Sequence, residues 1–355
     1  MDRRSFLKAM AAGAAVPTLF PQAAFAAGKS DVTITGAGAT FPTPVYSQWA
    51  YEYQQLTGVK LNYQSIGSGG GIAQIKAGTV DFGASDAPLL ASELSAGGLV
   101  QFPMVMGGVA PVMNIPGIEA GKLKMGPKEL ANIFLGRIKK WNDPALKSLN
   151  PDLDLPDMAV TVVHRADGSG TTWIFTNYLD KVSDLWHQQV GTEKAVAWPC
   201  GVGGKGNEGV AAQVQQVQGA VGYVEYAYAL ENKMAYACLQ NRAGKFVLPT
   251  IETFQAACAS ADWASAPGYY LVLTDQPGAD SWPITGASFI LVHAKQSNAA
   301  RAQAMLKFFD WCFKHGAEKA VELHYVPIPP NVVELVEQTW SNDVTAGGKP
   351  IWPAG

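Results

Sequence analysis

The spacing of apolar residues alternates between strand-like and helix-like patterns along the chain. Residues 32–35 and 60–65 alternate between apolar and polar side chains and predict strands. Residues 42–57 instead repeat apolar side chains at helical spacing, with Pro42 suited to a first turn and Gly58 to a helix end. The apolar face of this predicted helix consists of Pro42, Val45, Tyr46, Trp49, Ala50, Tyr53 and Leu56.

The alternation continues further along the chain. Residues 69–77 predict a short helix, and residues 80–84 predict a strand that leads to Asp86. A β-branched strand at residues 159–163 precedes a helix at residues 173–179. We also predict strands at residues 221–226 and 289–292, helices at residues 209–217 and 305–313, and a loosely packed tail from residue 342 onward. This order of elements predicts an α/β fold with ligands at the carboxyl ends of the strands.

Three turns rich in glycine, serine and threonine stand directly before predicted helices, at residues 35–41, 67–71 and 165–172. A helix N-terminus has unpaired N–H donors and a partial positive charge, so a turn of this kind suits an oxyanion. One turn alone would be weak support. Three turns, together with Arg165 and the nearby Asp86, indicate a single anion held mostly by neutral donors.

Residues 1–26 have the pattern of a twin-arginine export signal peptide. Arg3 and Arg4 precede an apolar stretch at residues 9–20, and residues 24–26 form a cleavage site with small residues at both ends. A membrane anchor is the alternative, but the apolar stretch is too short to span a bilayer. We therefore expect cleavage after residue 26 and a soluble protein that folds before export to the periplasm.

The charge balance argues against a nucleic-acid or membrane-surface partner. The full chain has 26 Lys and Arg residues against 29 Asp and Glu residues. Removing residues 1–26 leaves 23 basic and 28 acidic residues, a net charge of −5. Because a negative protein does not attract anions over long distances, an anion site must depend on local dipoles and one or two cations.

The cysteines and histidines form no metal-binding pattern. Four cysteines allow three full disulfide pairings in an oxidising compartment, and we expect Cys238–Cys258 if one forms. Cys312 lies on the apolar face of the helix predicted at residues 305–313, which favours a buried free thiol. The five histidines are scattered, so we expect neither a metal nor a cofactor.

Seven short motifs connect the chain to a known family. They lie at residues 36–42, 67–70, 81–88, 165–171, 203–207, 222–226 and 282–285. In this order, and over essentially the whole mature chain, they resemble the periplasmic phosphate-binding proteins of phosphate-specific (Pst) ABC importers. The resemblance implies high-affinity binding of inorganic phosphate by hinge closure, followed by delivery to the membrane permease subunits of the importer.

The resemblance also implies the fold and its boundaries. The family fold is a type II periplasmic binding protein, with two α/β lobes joined by hinge strands. Lobe I would comprise residues 27–105 plus 286–355, and lobe II residues 106–285. The crossovers would lie at residues 107–108 and 282–284. Such a protein is a monomer, is not an enzyme, needs no cofactor and binds no nucleic acid.

Both lobes would contribute phosphate contacts by this resemblance. The residues it implies are Thr40, Phe41, Ser68 and Asp86 from one lobe, and Arg165, Ser169, Gly170 and Thr171 from the other. Hydroxyls and backbone N–H groups would supply most donors, and Arg165 one charge-assisted contact. Three of these residues also have an interpretation without a ligand: Thr40 as a helix cap, Ser68 in a flexible turn and Arg165 in a surface ion pair. Asp167 would orient Arg165 or cap the following helix.

Asp86 would decide the chemistry of the anion. A carboxylate beside an anion weakens binding unless the ligand keeps a proton, because the carboxylate then accepts an O–H hydrogen bond. Phosphate keeps such protons near neutral pH and sulfate does not, so Asp86 would reject sulfate. The alternative is an exposed loop aspartate that caps the turn at residues 87–88.

Two other functions remain open from the sequence. The first is a secreted phosphatase with Ser169 as nucleophile, although the sequence around it is not G-x-S-x-G and His164 should point to the opposite face of its strand from Arg165. The second is binding of another oxyanion, namely arsenate, sulfate or molybdate.

Residues 203–207 lack the Walker pattern, and we interpret them as a turn near the cleft mouth. We expect Tyr223, Tyr226 and Tyr228 in the core.

Overall fold

The computed structural model describes residues 32–353, so the signal peptide predicted at residues 1–26 lies outside the described residues. The strands are β1 (Thr33–Gly38), β2 (Lys60–Ser65), β3 (Phe82–Ser85), β4 (Leu99–Met113), β5 (Lys124–Met125), β6 (Thr161–Arg165), β7 (Val202–Gly204), β8 (Ala220–Glu225), β9 (Ala235–Tyr236), β10 (Cys238–Gln240), β11 (Phe246–Val247), β12 (Thr285–His293), β13 (Lys295–Gln296), β14 (Val326–Pro327), β15 (Thr345–Ala346) and β16 (Lys349–Pro350).

Helices pack around these strands. They are α1 (Thr43–Thr57), α2 (Ser68–Lys76), α3 (Ala91–Gly97), α4 (Pro127–Phe134), α5 (Pro144–Leu149), α6 (Gly170–Val182), α7 (Asp184–Gln189), α8 (Gly206–Gln216), α9 (Tyr226–Glu231), α10 (Ile251–Cys258), α11 (Ala299–His315), α12 (Ala317–Glu322) and α13 (Pro330–Asp343), with a 3₁₀ turn at Pro267–Tyr269. The α/β class predicted from the sequence is confirmed. Over residues 32–353, none of these helices combines the length and apolarity that a membrane crossing needs.

One large mixed sheet runs through the molecule. Its strand order is β2-β1-β3-β12-β4-β8-β6-β7, and β14 and β9 also pair with β4. On one side, β1 is parallel to both β2 and β3. On the other side, β6 is parallel to both β7 and β8. Each half is therefore a parallel α/β unit, and parallel strands bring their carboxyl ends to the same edge of a sheet.

Strand β4 belongs to both halves. Its first part pairs antiparallel with β12 from Leu99 to Gly108, and its second part pairs with β8 from Val109 to Met113. All 15 residues of β4 are buried, as expected for a strand covered on both faces. A Cβ added at Gly108 would overlap the Phe254 ring, and one at Gly107 would lie 3.1 Å from the Phe41 ring. The two glycines therefore let aromatic rings pack directly on the strand where its partner changes.

Helix α1 shows how the local sequence sets an element. It spans Thr43–Thr57 and is followed by Gly58 at φ 77°, as predicted. Pro42, predicted in the first turn, is instead the N-cap, and the proline of the first turn is Pro44. Val45, Tyr46, Trp49 and Tyr53 are buried on its inner face. Leu56 was predicted to join them, but it is 59% exposed, because it lies in the last turn beyond the reach of the core.

Two further predictions are wrong. The tail from residue 342 onward is not loose: α13 continues to Asp343, β15 and β16 follow, and Val344 and Ile351 are buried. Cys238 and Cys258 form no disulfide; they lie in β10 and at the end of α10, and all four cysteines are free thiols. Cys312 is the buried free thiol that its place in the predicted helix favoured.

Candidate functional site

Four helix N-termini meet between the two halves of the sheet. Helices α1, α2 and α6 begin after the three turns found in the sequence, and α8 adds a fourth. Helix α2 packs close to the sheet because residue 71 is glycine. A Cβ there would lie only 2.7 Å from the carbonyl oxygens of Ala37 and Ala84. The fold thus places four positive ends of helix dipoles around one volume.

Short contacts across this volume bring the predicted residues together. The Asn207 amide Nδ2 donates to Thr40 Oγ1 at 2.6 Å and to Thr171 Oγ1 at 3.1 Å. The Gly69 N–H donates to the Gly168 carbonyl at 2.8 Å. A Cβ added at Gly170 would overlap Ser68 Oγ and lie 2.6 Å from Asp86 Oδ2. All eight residues that the resemblance implies are buried here.

Backbone donors at the site have no partner in the protein. Within residues 32–353, the N–H groups of Thr40, Phe41, Gly170 and Thr171 make no hydrogen bond. Those of Gly170 and Thr171 belong to the first turn of α6, where a helix offers no acceptor. Because an unpaired buried N–H is costly, these four donors mark a place prepared for an acceptor ligand.

The four hydroxyls at the site accept hydrogen bonds from the protein. Ser169 Oγ accepts from the Thr172 N–H at 3.0 Å, and Ser68 Oγ accepts from the Asp86 N–H at 3.1 Å. Thr40 Oγ1 and Thr171 Oγ1 accept from the Asn207 amide, and Thr171 Oγ1 also accepts from Arg165 Nη1 at 3.4 Å. A hydroxyl that already accepts from the protein keeps its hydrogen to donate elsewhere. The arrangement therefore favours donation into the space between the helices.

Arg165 ends β6 with its side chain only 1% exposed. Its Nε donates to Asp167 Oδ1 at 2.8 Å and its Nη2 to Asp167 Oδ2 at 2.6 Å. Asp167 also accepts from the Gly206 N–H of α8 at 3.1 Å. Burial alone would raise the pKa of Asp167, but the hydrogen bonds and charge of Arg165 hold it below its usual value. Asp167 thus orients Arg165, as predicted, and leaves the Nη1–Nη2 end of the guanidinium toward the site.

Asp86 follows β3 and is 1% exposed. Neither carboxylate oxygen has a hydrogen-bond partner within residues 32–353. Burial raises its pKa to about 7, partly offset by the nearby Ser288 hydroxyl, the charge of Arg165 and the Ser68 hydroxyl. The alternative of an exposed loop aspartate is wrong. The site therefore combines many donors with one strong and unused acceptor.

The surroundings of Ser169 offer no activated nucleophile. The His164 ring stacks on Trp198 with ring centroids 4.8 Å apart, on the other side of β6 from the buried Arg165. Burial lowers the pKa of His164. Ser169 Oγ caps α6, and no histidine or lysine pairs with it among the described residues. Over residues 32–353, no three His, Cys, Asp or Glu side chains converge as metal ligands.

Sequence reasoning missed several residues around the site. Asn207 was placed in a turn near the cleft mouth, but it is fully buried in the first turn of α8. Its signal was available, since it follows a glycine-rich turn like those before the other three helices. Tyr228 was predicted correctly as a core residue, yet its hydroxyl also donates to the Thr40 carbonyl at 2.6 Å. The contact between Glu225 and Tyr325 gave no signal, because it joins residues 100 positions apart, although Glu225 lies in the motif at residues 222–226.

Comparisons with known proteins identify the family of the chain. Residues 23–315 match the model of the PBP superfamily domain. The chain is 56% identical to the phosphate-binding protein PstS of Xylella fastidiosa (strain Temecula1) over 88% of this chain and 86% of that protein. It is 54% identical to PstS of Pasteurella multocida, over 90% of this chain and 93% of that protein.

Solved structures show the same fold at low sequence identity. The phosphate-binding protein from Stenotrophomonas maltophilia superposes with a TM-score of 0.68 at 19% identity, covering 90% of this chain and 97% of that one. An ABC-type phosphate transport receptor from Vibrio cholerae gives a TM-score of 0.53 at 19% identity, covering 83% and 100%. The fold is thus that of a two-lobed periplasmic binding protein, and the chain belongs to the PBP superfamily and, within it, to the PstS phosphate-binding proteins.

Proposed function

We propose that the protein binds inorganic phosphate in the periplasm and passes it to the membrane permease of a phosphate ABC importer. It is a binding component and not an enzyme. The observation that carries the proposal is the set of unpaired donors grouped around the single buried acceptor, Asp86. The relatives with more than half of their residues identical are named phosphate-binding proteins, which supports the same ligand.

The donors suit a tetrahedral oxyanion. Four backbone N–H groups, four hydroxyls and the Nη1–Nη2 end of Arg165, whose Nη1 also donates to Thr171 Oγ1 at 3.4 Å, can surround its four oxygens. Most of these donors are neutral, so the anion is held by hydrogen bonds and helix dipoles, with one compensating cation. This matches a protein with net negative charge, which gains little from long-range attraction.

Asp86 selects the protonation state of the anion. Within residues 32–353 its carboxylate oxygens have no hydrogen-bond partner, so they can accept a hydrogen bond from a ligand that carries a proton. Phosphate near neutral pH satisfies it, whereas sulfate would bring an unprotonated oxygen against a buried carboxylate. Such a mismatch costs on the order of 2–3 kcal/mol or more. Arsenate has protons like those of phosphate and is not rejected by this argument.

Asn207 would control the direction of two hydroxyls. Its Oδ1 accepts from the Glu225 N–H at 2.9 Å, which fixes the amide so that Nδ2 faces Thr40 and Thr171. Each threonine oxygen therefore receives a hydrogen bond from Asn207 and turns its own hydrogen toward phosphate. The same amide links two segments 167 residues apart in sequence, which would stabilise the closed cleft.

We further propose the lobe boundaries implied by the resemblance: residues 27–105 plus 286–355, and residues 106–285. Closure would bring the two sets of phosphate contacts together, since only the closed form lets both meet one ligand. The partner change of β4 after Gly108 supports a hinge at residues 107–108. Export by the twin-arginine route is part of the proposal, and replacing Arg3 and Arg4 by lysines should retain the precursor in the cytoplasm.

Calorimetric titration of ligand-free, refolded protein tests the proposed function. We expect one phosphate per chain, and excess sulfate should not compete. The Asp86→Asn variant should admit sulfate, whereas Asp157→Asn, at a fully exposed ion pair with Lys140, should not. Absence of phosphate binding, or displacement by sulfate in the unmodified protein, would contradict the proposal. Hydrolysis of a chromogenic phosphate ester would instead indicate a phosphatase.

A further inference from the structure

Three tyrosine hydroxyls hold three successive carbonyls at the start of α1. Tyr63 donates to the Ala39 carbonyl at 2.6 Å and Tyr228 to the Thr40 carbonyl at 2.6 Å. The Tyr325 oxygen lies 2.7 Å from the Phe41 carbonyl oxygen. We call residues 39–41 the donor loop. The Ala39 and Thr40 carbonyls share peptide planes with the Thr40 and Phe41 N–H groups, so Tyr63 and Tyr228 turn these two N–H groups toward the site. Tyr325 holds the next peptide, Phe41–Pro42, which has no N–H, and so fixes the end of the loop.

Tyr325 has two partners but only one proton. Its oxygen lies 2.7 Å from Phe41 O and also 2.7 Å from Glu225 Oε2. A carbonyl oxygen can only accept, so the tyrosine proton belongs to the Phe41 contact. The contact with Glu225 is then a hydrogen bond only if Glu225 donates. If Glu225 were ionised, two oxygens without a proton between them would face each other at hydrogen-bond distance.

The surroundings of Glu225 do not support a charge. Glu225 is fully buried, its Oε1 has no partner within the described residues, and Oε2 accepts the Ala227 N–H at 3.0 Å. Burial raises its pKa well above the usual value, and the acidic Glu231 and Asp86 raise it further, although the Tyr325 and Ala227 contacts lower it.

The tyrosines near Glu225 are neutral, and the basic groups act on these tyrosines rather than on Glu225 itself. Tyr226 and Tyr228 on α9 and Tyr325 before β14 all have pKa values raised by burial, so they keep their protons. The basic groups act on these tyrosines: Arg165 lowers the pKa of Tyr228, and the His324 ring lies 5.7 Å from that of Tyr226. A buried carboxyl between acidic neighbours is stable only in its neutral form.

We propose that Glu225 is a positioning residue that carries a proton and donates it to Tyr325, which frees Tyr325 to hold the Phe41 carbonyl. The inference rests on the proposed function, since the benefit of a donor loop fixed at its end by Tyr325 is that its Thr40 and Phe41 N–H groups meet phosphate. A protonated carboxyl suits this position because a single oxygen, Oε2, both donates to the Tyr325 hydroxyl and accepts from the Ala227 N–H. A glutamine amide offers either the donor or the acceptor there, never both.

Infrared spectroscopy of the phosphate-saturated protein tests the proton directly. At about pH 8, above the pKa of Asp86, we expect the carbonyl stretch of a neutral carboxylic acid, shifted in D₂O. The band should be absent in Glu225→Gln and present in Asp86→Asn. In Tyr325→Phe it should move to higher frequency, because the acid loses its acceptor. If the unmodified protein and Glu225→Gln show no difference in this region, Glu225 is ionised and the proposal is overturned.

A double-mutant cycle tests the positioning role. Glu225→Gln and Tyr325→Phe should each weaken phosphate binding about tenfold, the worth of one buried hydrogen bond. The double variant should bind phosphate as tightly as whichever single variant has the lower affinity, because both substitutions act through one contact. Additive losses, or unchanged affinity in both single variants, would overturn the role. The unmodified protein is titrated alongside: lack of phosphate binding there contradicts the proposed function, and the infrared band still reports on the proton.

Discussion

Replacing Asp86 by asparagine should stabilise the phosphate-free protein, and more so as the pH rises. Asp86 is 1% exposed, and both carboxylate oxygens lack partners within residues 32–353. An ionised carboxylate in that position lowers the free energy of unfolding, whereas a neutral amide of similar shape carries no charge to desolvate. The side chain that we propose accepts the phosphate proton therefore lowers the stability of the ligand-free protein.

The size of the effect follows from the pKa of Asp86. Burial raises it from 3.8 to about 7, so between these values the folded state keeps a proton that the unfolded state has lost. The free energy of unfolding therefore falls as the pH rises through this interval and levels off above it. A shift of about three units corresponds to about 4 kcal/mol. This value is an upper bound, because opening of the cleft would hydrate Asp86 and reduce the free-energy cost of its charge.

Urea denaturation of phosphate-free protein at several pH values between about 4 and 8 provides the measurement. The unfolding free energies of Asp86→Asn and the unmodified protein should agree near pH 4 and diverge toward pH 8. Glu225 is present in both proteins, so its own titration cancels in the difference. Asp157→Asn is the control, because Asp157 is fully exposed. A difference that stays constant with pH would refute the burial of an uncompensated carboxyl at position 86.

Three further predictions concern other parts of the molecule. Arg165→Ala should weaken phosphate binding by roughly 100-fold, the loss of charge-assisted hydrogen bonds. Arg301→Ala, which removes an exposed side chain paired with the largely buried Asp81, should leave calorimetric affinity unchanged. Gly170→Ala should also weaken binding at least ~100-fold with little change in phosphate-free melting temperature, because the added Cβ overlaps Ser68 Oγ only when the cleft is closed. Without reductant, the unfolded protein should titrate as four thiols; fewer would show a disulfide.

Local patterns in the sequence predicted the main strands and helices around the site, but they did not predict the long strand β4 or most of the short elements. Strand β2 matches its predicted bounds, and α1 does so within one residue, because alternation, a proline and a terminal glycine are local signals. The exposure of Leu56 was not predictable in the same way. Helical spacing defines a face, but only the neighbouring elements decide how far along that face the core extends.

The site was partly accessible from sequence because its donors lie in recognisable turns before helices. Contacts between distant segments were not accessible. Asn207 was missed because α8 begins three residues earlier than the predicted start at residue 209, which moves it from a turn into the first helical turn. The contact between Glu225 and Tyr325 depends on both β8 and β14 pairing with β4, and no local pattern encodes that arrangement. The disulfide prediction failed for the same reason.

The position of β12 has a consequence for how the chain is made. Strand β12 lies between β3 and β4, so the sheet that positions Thr40 and Asp86 is completed by residues 285–293. As the chain leaves the ribosome, about 170 further residues must be synthesised after β4 before β12, the strand between β3 and β4, exists. Pairing at such separation gives a high contact order, slow folding and a period of exposed strand edges. The nascent chain therefore depends on protection from aggregation until nearly all of it has been synthesised.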